Sequence, residues 1–313
     1  MDEISGNYLI ATNAEITLEA NPESVQIEHL IGYRSSGINR LSIGVQSLNA
    51  VELKFLDRGH TGHDALVALE NARHSGFDNI NVDLIYGLPE QKISTWQETL
   101  TAVSGQIPDH ISCYGLTVEP NTPLAVRTAA GAVKTVDNDL AADMTDWTDK
   151  HLADVGYAQY EISNFSLPSR ECIHNLVYWR HQEYIGLGPG AHGFINGLRY
   201  SVEKIPSRYI ERLRQPKIKT EKLPSPAIVE TTSITNEMAA LDATVMGLRL
   251  NTGVDTIDFK RTYGTAWDRF EDTINWAIAS DLLEKSGNQL HLTRQGRRLA
   301  NEVFIRLMDT DLV

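Results

Sequence analysis

The chain has 313 residues, of which 42% are hydrophobic and 22% charged, and its formal net charge is −13. That length allows two domains and a sizeable core, and the acidic balance disfavours general binding to nucleic acid or an anionic membrane. There is no run of about 18 apolar residues to span a bilayer. The acidic start Met-Asp-Glu-Ile-Ser has no signal-peptide core, so a cytoplasmic location is expected.

Residues 1–14 read as the end of a helix and a loop. Glu15-Ile-Thr-Leu-Glu19 alternates polar and apolar residues and predicts a strand, closed by Ala20-Asn21-Pro22. Ser24 can cap a helix running to Ser36, which Gly37 stops. Ile38–Val45 predicts a second strand ending at Gln46, and helices are expected over 49–56 and 63–75. Asn79-Ile-Asn-Val-Asp-Leu-Ile-Tyr-Gly-Leu-Pro89 is the central stretch. Val82, Leu84 and Ile85 read as a buried strand, Asp83 sits inside it, and Gly87 and Pro89 turn the chain. A helix over 94–105, a strand over 109–116, an aperiodic loop over 120–137 and a helix over 137–154 follow.

Three times a helix stops at glycine and a large apolar residue precedes a strand: Gly37-Ile38, Gly76-Phe77 and, more weakly, Gly156-Tyr157. Alternating strands and helices predict parallel strands joined by crossover helices. Polar residues then collect at the C-terminal strand ends, at Glu19, Gln46, Asp83, Thr117 or Glu119, and Glu161. That is where α/β barrels and open α/β sheets place their sites. Residues 165–200 are irregular, aromatic and histidine-rich. A proline-punctuated linker is expected over 214–227, dividing a barrel and its extension (1–213) from a helical domain (228–313). Helices over 230–248, 255–262 and 264–279, a hairpin around Gly287-Asn288 and a last helix capped by Thr293 resemble a winged helix.

Glu19, Gln46 and Asp83 offer acceptors on one rim, suited to ribose hydroxyls and an ammonium group, and Arg58 can pair with a carboxylate. The alternative is that these groups satisfy one another. The stretch Cys172-Ile-His-Asn-Leu-Val-Tyr-Trp179 combines imidazole, thiol and aromatic rings, the usual surroundings of haem iron; a hydrogen-bonded structural histidine is the competing reading for His174, and likewise for His181 and His192. Ile185–Gly193 has alternating glycines but neither a dinucleotide fingerprint nor a Walker lysine, so ligand contact and a tight packed turn both stand. Gly59-His60-Thr61-Gly62-His63 reads as a helix entrance. Arg294, Arg297, Arg298 and Arg306 would suit a DNA-binding wing, which the acidic whole and Glu302 oppose. Two cysteines, Cys113 and Cys172, are expected as free thiols.

At these stretches the chain resembles the radical S-adenosylmethionine family, and within it the HemW family of haem chaperones, relatives of oxygen-independent coproporphyrinogen III oxidase. The matching residues are Glu15–Pro22, Asn39–Ser47, Asn81–Pro89, Gln159–Phe165 and Gly186–His192. The resemblance implies a (β/α) TIM-like barrel with a winged-helix-like C-terminal domain. It places S-adenosylmethionine on Glu19, Gln46, Arg58 and Asp83, with the backbone around Thr117 and His192 joining them. It assigns haem to His174, Asn175, Tyr178 and Trp179, with His174 as candidate iron ligand. It implies haem-accepting protein partners, some at the membrane, and allows a homodimer. The family's [4Fe–4S] loop, Cys-x-x-x-Cys-x-x-Cys, and its Gly-Gly-Gly-Thr-Pro stretch are missing. The chain therefore resembles a barrel lacking its first strands, from which radical catalysis is not expected. An oxygen-independent coproporphyrinogen dehydrogenase-like enzyme is the second reading, opposed by the His174–Trp179 motif. A ligand-sensing winged-helix regulator is the third.

Overall fold

The computed structural model describes residues 1–134, 137–214 and 225–309. The chain folds as two compact units, Met1–Cys172 and Ile173–Val313. Most of the linker expected over 214–227 lies outside the described residues.

In the first unit α1 (Asp2–Asn7) and a loop lead to β1 (Thr17–Ala20), α2 (Ile27–Ser35), β2 (Arg40–Gln46), α3 (Ala50–Phe55) and α4 (Gly62–His74). Then come β3 (Ile80–Tyr86), α5 (Ile93–Ser104), β4 (His110–Gly115), α6 (Pro123–Ala129), α7 (Asn138–Asp154), β5 (Ala158–Gln159) and β6 (Asn164–Ser166). They build one sheet in the order β1-β2-β3-β4-β6-β5. Strands β1 to β4 are parallel, as crossover helices require. The glycine repeat has a backbone cause: Gly37, Gly76 and Gly156 have φ of 97°, 86° and 93°, a left-handed helix end that a Cβ disfavours.

Side chains alternate across the strands, so each strand shows two faces. Leu41, Ile43 and Val45 of β2, Val82 and Leu84 of β3, and Ile111 of β4 bury against Leu69, Trp96, Leu100, Val103 and Met144 of the helices. Each such burial stabilises the unit by about 1.5–3 kcal/mol. Trp96 Nε1 donates to Thr148 Oγ1 at 2.8 Å, which ties α5 to α7. Thr61 and Asp64 form a reciprocal capping box at the start of α4, the helix entrance expected at Gly59–His63.

Several local expectations are corrected. The third repeat leads into β5, which has the direction of β4 but does not pair with it: β6 lies between them, antiparallel to β4 and to β5. A four-residue turn, not a crossover, joins β5 and β6, and strand direction follows the connection. The aperiodic loop over 120–137 contains α6, with Thr122 accepting from Ala125 N and Pro123 at its first turn. Ser24 lies in a 3₁₀ turn, and α2 begins at Ile27 without a side-chain cap.

The second unit opens with α8 (Ile173–Trp179) and β7 (His192–Ile195), β8 (Leu198–Val202), α9 (Pro206–Arg214) and β9 (Ile228–Ser233). Strands β7, β8 and β9 form an antiparallel sheet, so 165–200 is more regular than its composition suggested. The start of the helix expected over 230–248 is β9; Thr235 then caps α10 (Asn236–Gly247). Next come β10 (Val254–Asp255), α11 (Thr256–Tyr263), α12 (Thr265–Asp268), α13 (Glu271–Ala279), β11 (Leu283–Ser286), β12 (Gln289–Leu292), α14 (Arg294–Arg298) and α15 (Ala300–Asp309). The hairpin β11–β12 turns at Gly287, φ 60°, and Thr293 caps α14 through Gly296 N at 2.8 Å. Arg297 donates to Leu292 O at 3.2 Å and Arg306 lies 3.8 Å over the Trp276 ring, so both are engaged within the unit.

Candidate functional site

The face of the first sheet opposite the helices is polar. Arg40, Ser42 and Gln46 of β2, Asn81 and Asp83 of β3, His110, Ser112 and Tyr114 of β4, and Asn164 of β6 occupy it by alternation. Register aligns Glu19 with Ser42, Ser42 with Asn81, and Asp83 with Ser112. Asp83 is not a lone buried carboxylate. Ser42 Oγ donates to its Oδ2 at 2.8 Å, and Asn81 Nδ2 donates to its Oδ1 at 2.9 Å. Asn81 Nδ2 also donates to Ser42 Oγ at 2.7 Å. Behind Asn81, His110 Nδ1 lies 2.6 Å from Asn81 Oδ1, and His110 Nε2 lies 2.9 Å from the Tyr160 hydroxyl. Ser112 Oγ donates to Asn81 Oδ1 at 3.2 Å.

Burial, reinforced by the Arg40 charge, pushes the His110 pKa down to about 3. Burial pushes Tyr114 up to about 12, with the Asp83 charge adding to the shift. His110 is thus a neutral imidazole and Tyr114 a neutral phenol at ordinary pH. Asn81 and Ser112 lie inside β3 and β4, His110 opens β4, and Tyr160 follows β5 in the turn to β6, so Asn81, His110 and Ser112 stand away from the C-terminal strand ends. The signal for Asn81, His110 and Ser112 was the polar member of each alternating strand pair; Tyr160, outside the strands, had none.

Beyond the ends of β1 and β2 lies a second cluster. Gln46 ends β2 with φ 65°. A Cβ added to Gly44 would stand 2.8 Å from Gln46 Nε2 and 3.6 Å from Asn21 Oδ1. Arg58 Nη1 donates to the same Asn21 Oδ1 at 3.2 Å. The structure therefore brings Gln46, Asn21 and Arg58 together over a glycine whose missing side chain leaves the space. Arg58 Nε is buried and has no hydrogen-bond partner among the described residues. Glu19 is exposed. His60, fully buried, lies 3.0 Å from Val45 O through Nε2 and 3.5 Å from Glu23 through Nδ1, which makes it a structural histidine of the helix entrance.

Neither cysteine is in a disulfide, and both are buried. Cys113 faces the hydrophobic core, and burial pushes its thiol well above the usual range. Cys172 Sγ lies 3.6 Å from Glu15 Oε1, beside Arg40 at the start of β2. Two buried thiols, the chain's full complement, do not fit the three-thiolate ligation of a [4Fe–4S] cluster. Among the described residues no group of three His, Cys, Asp or Glu side chains is placed to hold a metal ion.

In the second unit the aromatic motif forms α8. His174 Nε2 and the Tyr178 hydroxyl are 2.9 Å apart, with the rings edge-to-face at 4.9 Å. Tyr178 continues to Tyr184, ring to ring at 4.6 Å. The i,i+4 spacing stacks His174 on Tyr178. Trp179 points elsewhere: the Arg249 guanidinium lies 4.7 Å from its ring centre, and Trp179 lines a cleft with α10 and α11 residues. His181 lies 3.9 Å from Asp242 and against Phe194. The glycine run is explained by packing. A Cβ on Gly186 would stand 2.0 Å from His192 O, and one on Gly193 would stand 2.2 Å from Tyr200 Cζ. The Tyr200 hydroxyl in turn accepts from Gly186 N at 2.9 Å.

Comparison with known proteins agrees with this division. The Radical SAM superfamily matches residues 3–103, and the HemN C-terminal domain matches residues 234–299. The heme chaperone HemW of Bacillus subtilis is 32% identical over 292 residues, which cover 93% of this chain and 75% of that protein. HemW of Mycobacterium tuberculosis is 33% identical over 311 residues, covering 98% and 75%. Among solved structures, Escherichia coli coproporphyrinogen III oxidase (HemN) superposes with a TM-score of 0.79 at 21% identity, covering 97% of this chain and 71% of that one. At that identity the likeness is one of fold.

Proposed function

The chain belongs to the HemW family of haem chaperones within the radical SAM superfamily, and on that premise we propose that it binds haem and hands it to acceptor proteins. The observation that carries this reading is similarity to proteins named haem chaperones over three quarters of their length. The α8 helix supports it, because exposed His174 offers an imidazole beside two edge-to-face tyrosines. Iron ligation through Nε2 would replace its 2.9 Å hydrogen bond with the Tyr178 hydroxyl.

S-adenosylmethionine would be held by Glu19, Gln46, Arg58 and Asp83. The buried, unpartnered Arg58 Nε and the space above Gly44 fit such a ligand. Arg58 would pair with its carboxylate, and the carboxylates of Asp83 and Glu19 would accept from its ammonium and hydroxyl groups. When bound, the ligand supplies a sulfonium centre. The two cysteines of this chain cannot supply the three thiolates of a cluster of the family type. Asp83 comes to the ligand already oriented by Ser42 and Asn81, so little ordering cost falls on binding.

The test is a haem titration of the purified protein, followed at the Soret band, beside His174→Ala. A saturable shift that weakens in the variant is expected. Absence of saturable binding by the unaltered chain would overturn the reading.

A further inference from the structure

We propose that the second unit contains a site for a flat apolar molecule bearing a carboxylate, in the cleft between the end of α8, α10 and the β10–α11 corner. The cleft has a volume of about 750 Å³, within the usual range of small-molecule sites. Trp179, Leu250, Val254, Phe259 and Tyr263 supply apolar and aromatic wall, the surface on which a planar ring stacks.

The charged groups at this cleft are Arg180, Asp255, Asp258 and His291. Three of them are already engaged. The Asp255 carboxylate caps α11, accepting from Ile257 N at 2.9 Å and Asp258 N at 3.0 Å, and from Gln289 Nε2 at 3.3 Å. Asp258 pairs with Arg261 at 2.7 Å. His291 lies 3.6 Å from Glu284. Among the described residues the Arg180 guanidinium has no ion-pair or hydrogen-bond partner, and it is exposed at the cleft. Beside it, the Trp179 indole N–H is buried without an acceptor; buried donors in folded proteins nearly always have one. Both open groups are donors, so the ligand must bring acceptors to an otherwise apolar wall. A planar carboxylate meets that requirement. His174 does not line the cleft, so the four motif residues divide between two tasks.

Identifying this ligand with haem, whose propionates edge an apolar plane, rests on the haem-chaperone reading; the cleft does not. The full chain is titrated with haem, with haem dimethyl ester, which lacks free carboxylates, and with anilinonaphthalene sulfonate, a flat apolar anion. Arg180→Glu and Thr252→Trp, both exposed positions, are compared with the unaltered protein. Arg180→Glu is expected to weaken haem about tenfold or more, the loss of one charge-assisted hydrogen bond, and to leave the diester unchanged. Thr252→Trp, which fills the mouth, is expected to weaken both. Unchanged haem affinity in both variants overturns the site. If the unaltered chain binds no haem, the chaperone reading fails, and the sulfonate decides the cleft: emission lost in both variants supports it, and emission unaffected or absent throughout overturns it.

Discussion

Asn81 Oδ1 lies 2.6 Å from His110 Nδ1, and this contact sets the tautomer of the imidazole. Asn81 Nδ2 donates to Asp83 and Ser42, so its Oδ1 is an acceptor and His110 Nδ1 carries the proton. Nε2 is then the acceptor, and the Tyr160 hydroxyl donates to it. The hydrogen bonds run in one direction from Tyr160 through His110 and Asn81 to the Asp83 carboxylate. A residue from β5–β6 thereby orients a residue at the rim of β3.

This order makes a pH prediction. Burial holds His110 near pKa 3 in the folded state, below its ordinary value of 6.5. The unfolded chain therefore takes up the proton first as the pH falls. The contribution is fully present above 6.5 and is lost as the pH falls toward 3, at about 1.4 kcal/mol per pH unit. His110→Gln is expected to lower stability at pH 7 and to flatten this slope. Urea unfolding at a series of pH values measures both, and an unchanged slope would refute the assignment.

Gly44→Ala tests the space at the rim. The new Cβ would stand 2.8 Å from Gln46 Nε2, and Gly44 has no left-handed φ to forbid the change. Folding is expected to survive while Gln46 is displaced. Affinity for S-adenosylmethionine, measured calorimetrically, should fall about tenfold, as for one lost polar contact.

Glu52 is buried in α3, with Ser47 Oγ donating to its carboxylate at 2.5 Å. Desolvation raises its pKa, and hydrogen bonds from Ser47 and Gln91 oppose the rise. Because the folded pKa exceeds the unfolded one, stability is full below the unfolded pKa and declines as the pH rises through the folded value. Glu52→Gln keeps the neutral form at every pH. Its melting temperature should equal or exceed that of the parent at pH 7, with the difference closing near pH 4. A variant that melts lower at pH 7 would show that the charge itself stabilises.

Gly193→Ala separates packing from ligand contact in the glycine run. The Cβ would meet the Tyr200 ring at 2.2 Å from Cζ, and Tyr200 is buried at 2% exposure. Overpacking of this kind costs about 3 kcal/mol. Thermal unfolding by circular dichroism should report a marked loss. A fold of unchanged stability with lost haem binding would instead make the run a ligand loop.

Much of this was legible locally. The alternation of Leu41, Ile43 and Val45 with Arg40, Ser42 and Gly44, and of Val82 and Leu84 with Asn81 and Asp83, is enough to place strands and their faces. Gly37 and Gly76 mark helix ends because left-handed backbone needs no neighbour to specify it. The recurring strand–helix alternation carried the α/β fold; Gln46 and Asp83 were readable as polar residues toward strand ends, and Arg58 as a cation in the loop between two helices.

What the sequence did not determine by itself depends on which strands meet and in what register. Ser42, Asn81 and His110 are 39 and 29 positions apart along the chain and within hydrogen-bond reach in space. Nothing in their local periodicity states that proximity, because inter-strand pairing is set by the packing of the helices behind the sheet. The same holds for the reversal of β6, where a short turn replaced the expected crossover, and for α8. Its sequence places His174, Tyr178 and Trp179 within two turns. Only the packed neighbours, Tyr184 on one side and Arg249 on the other, decide that the histidine and the tryptophan face different surroundings.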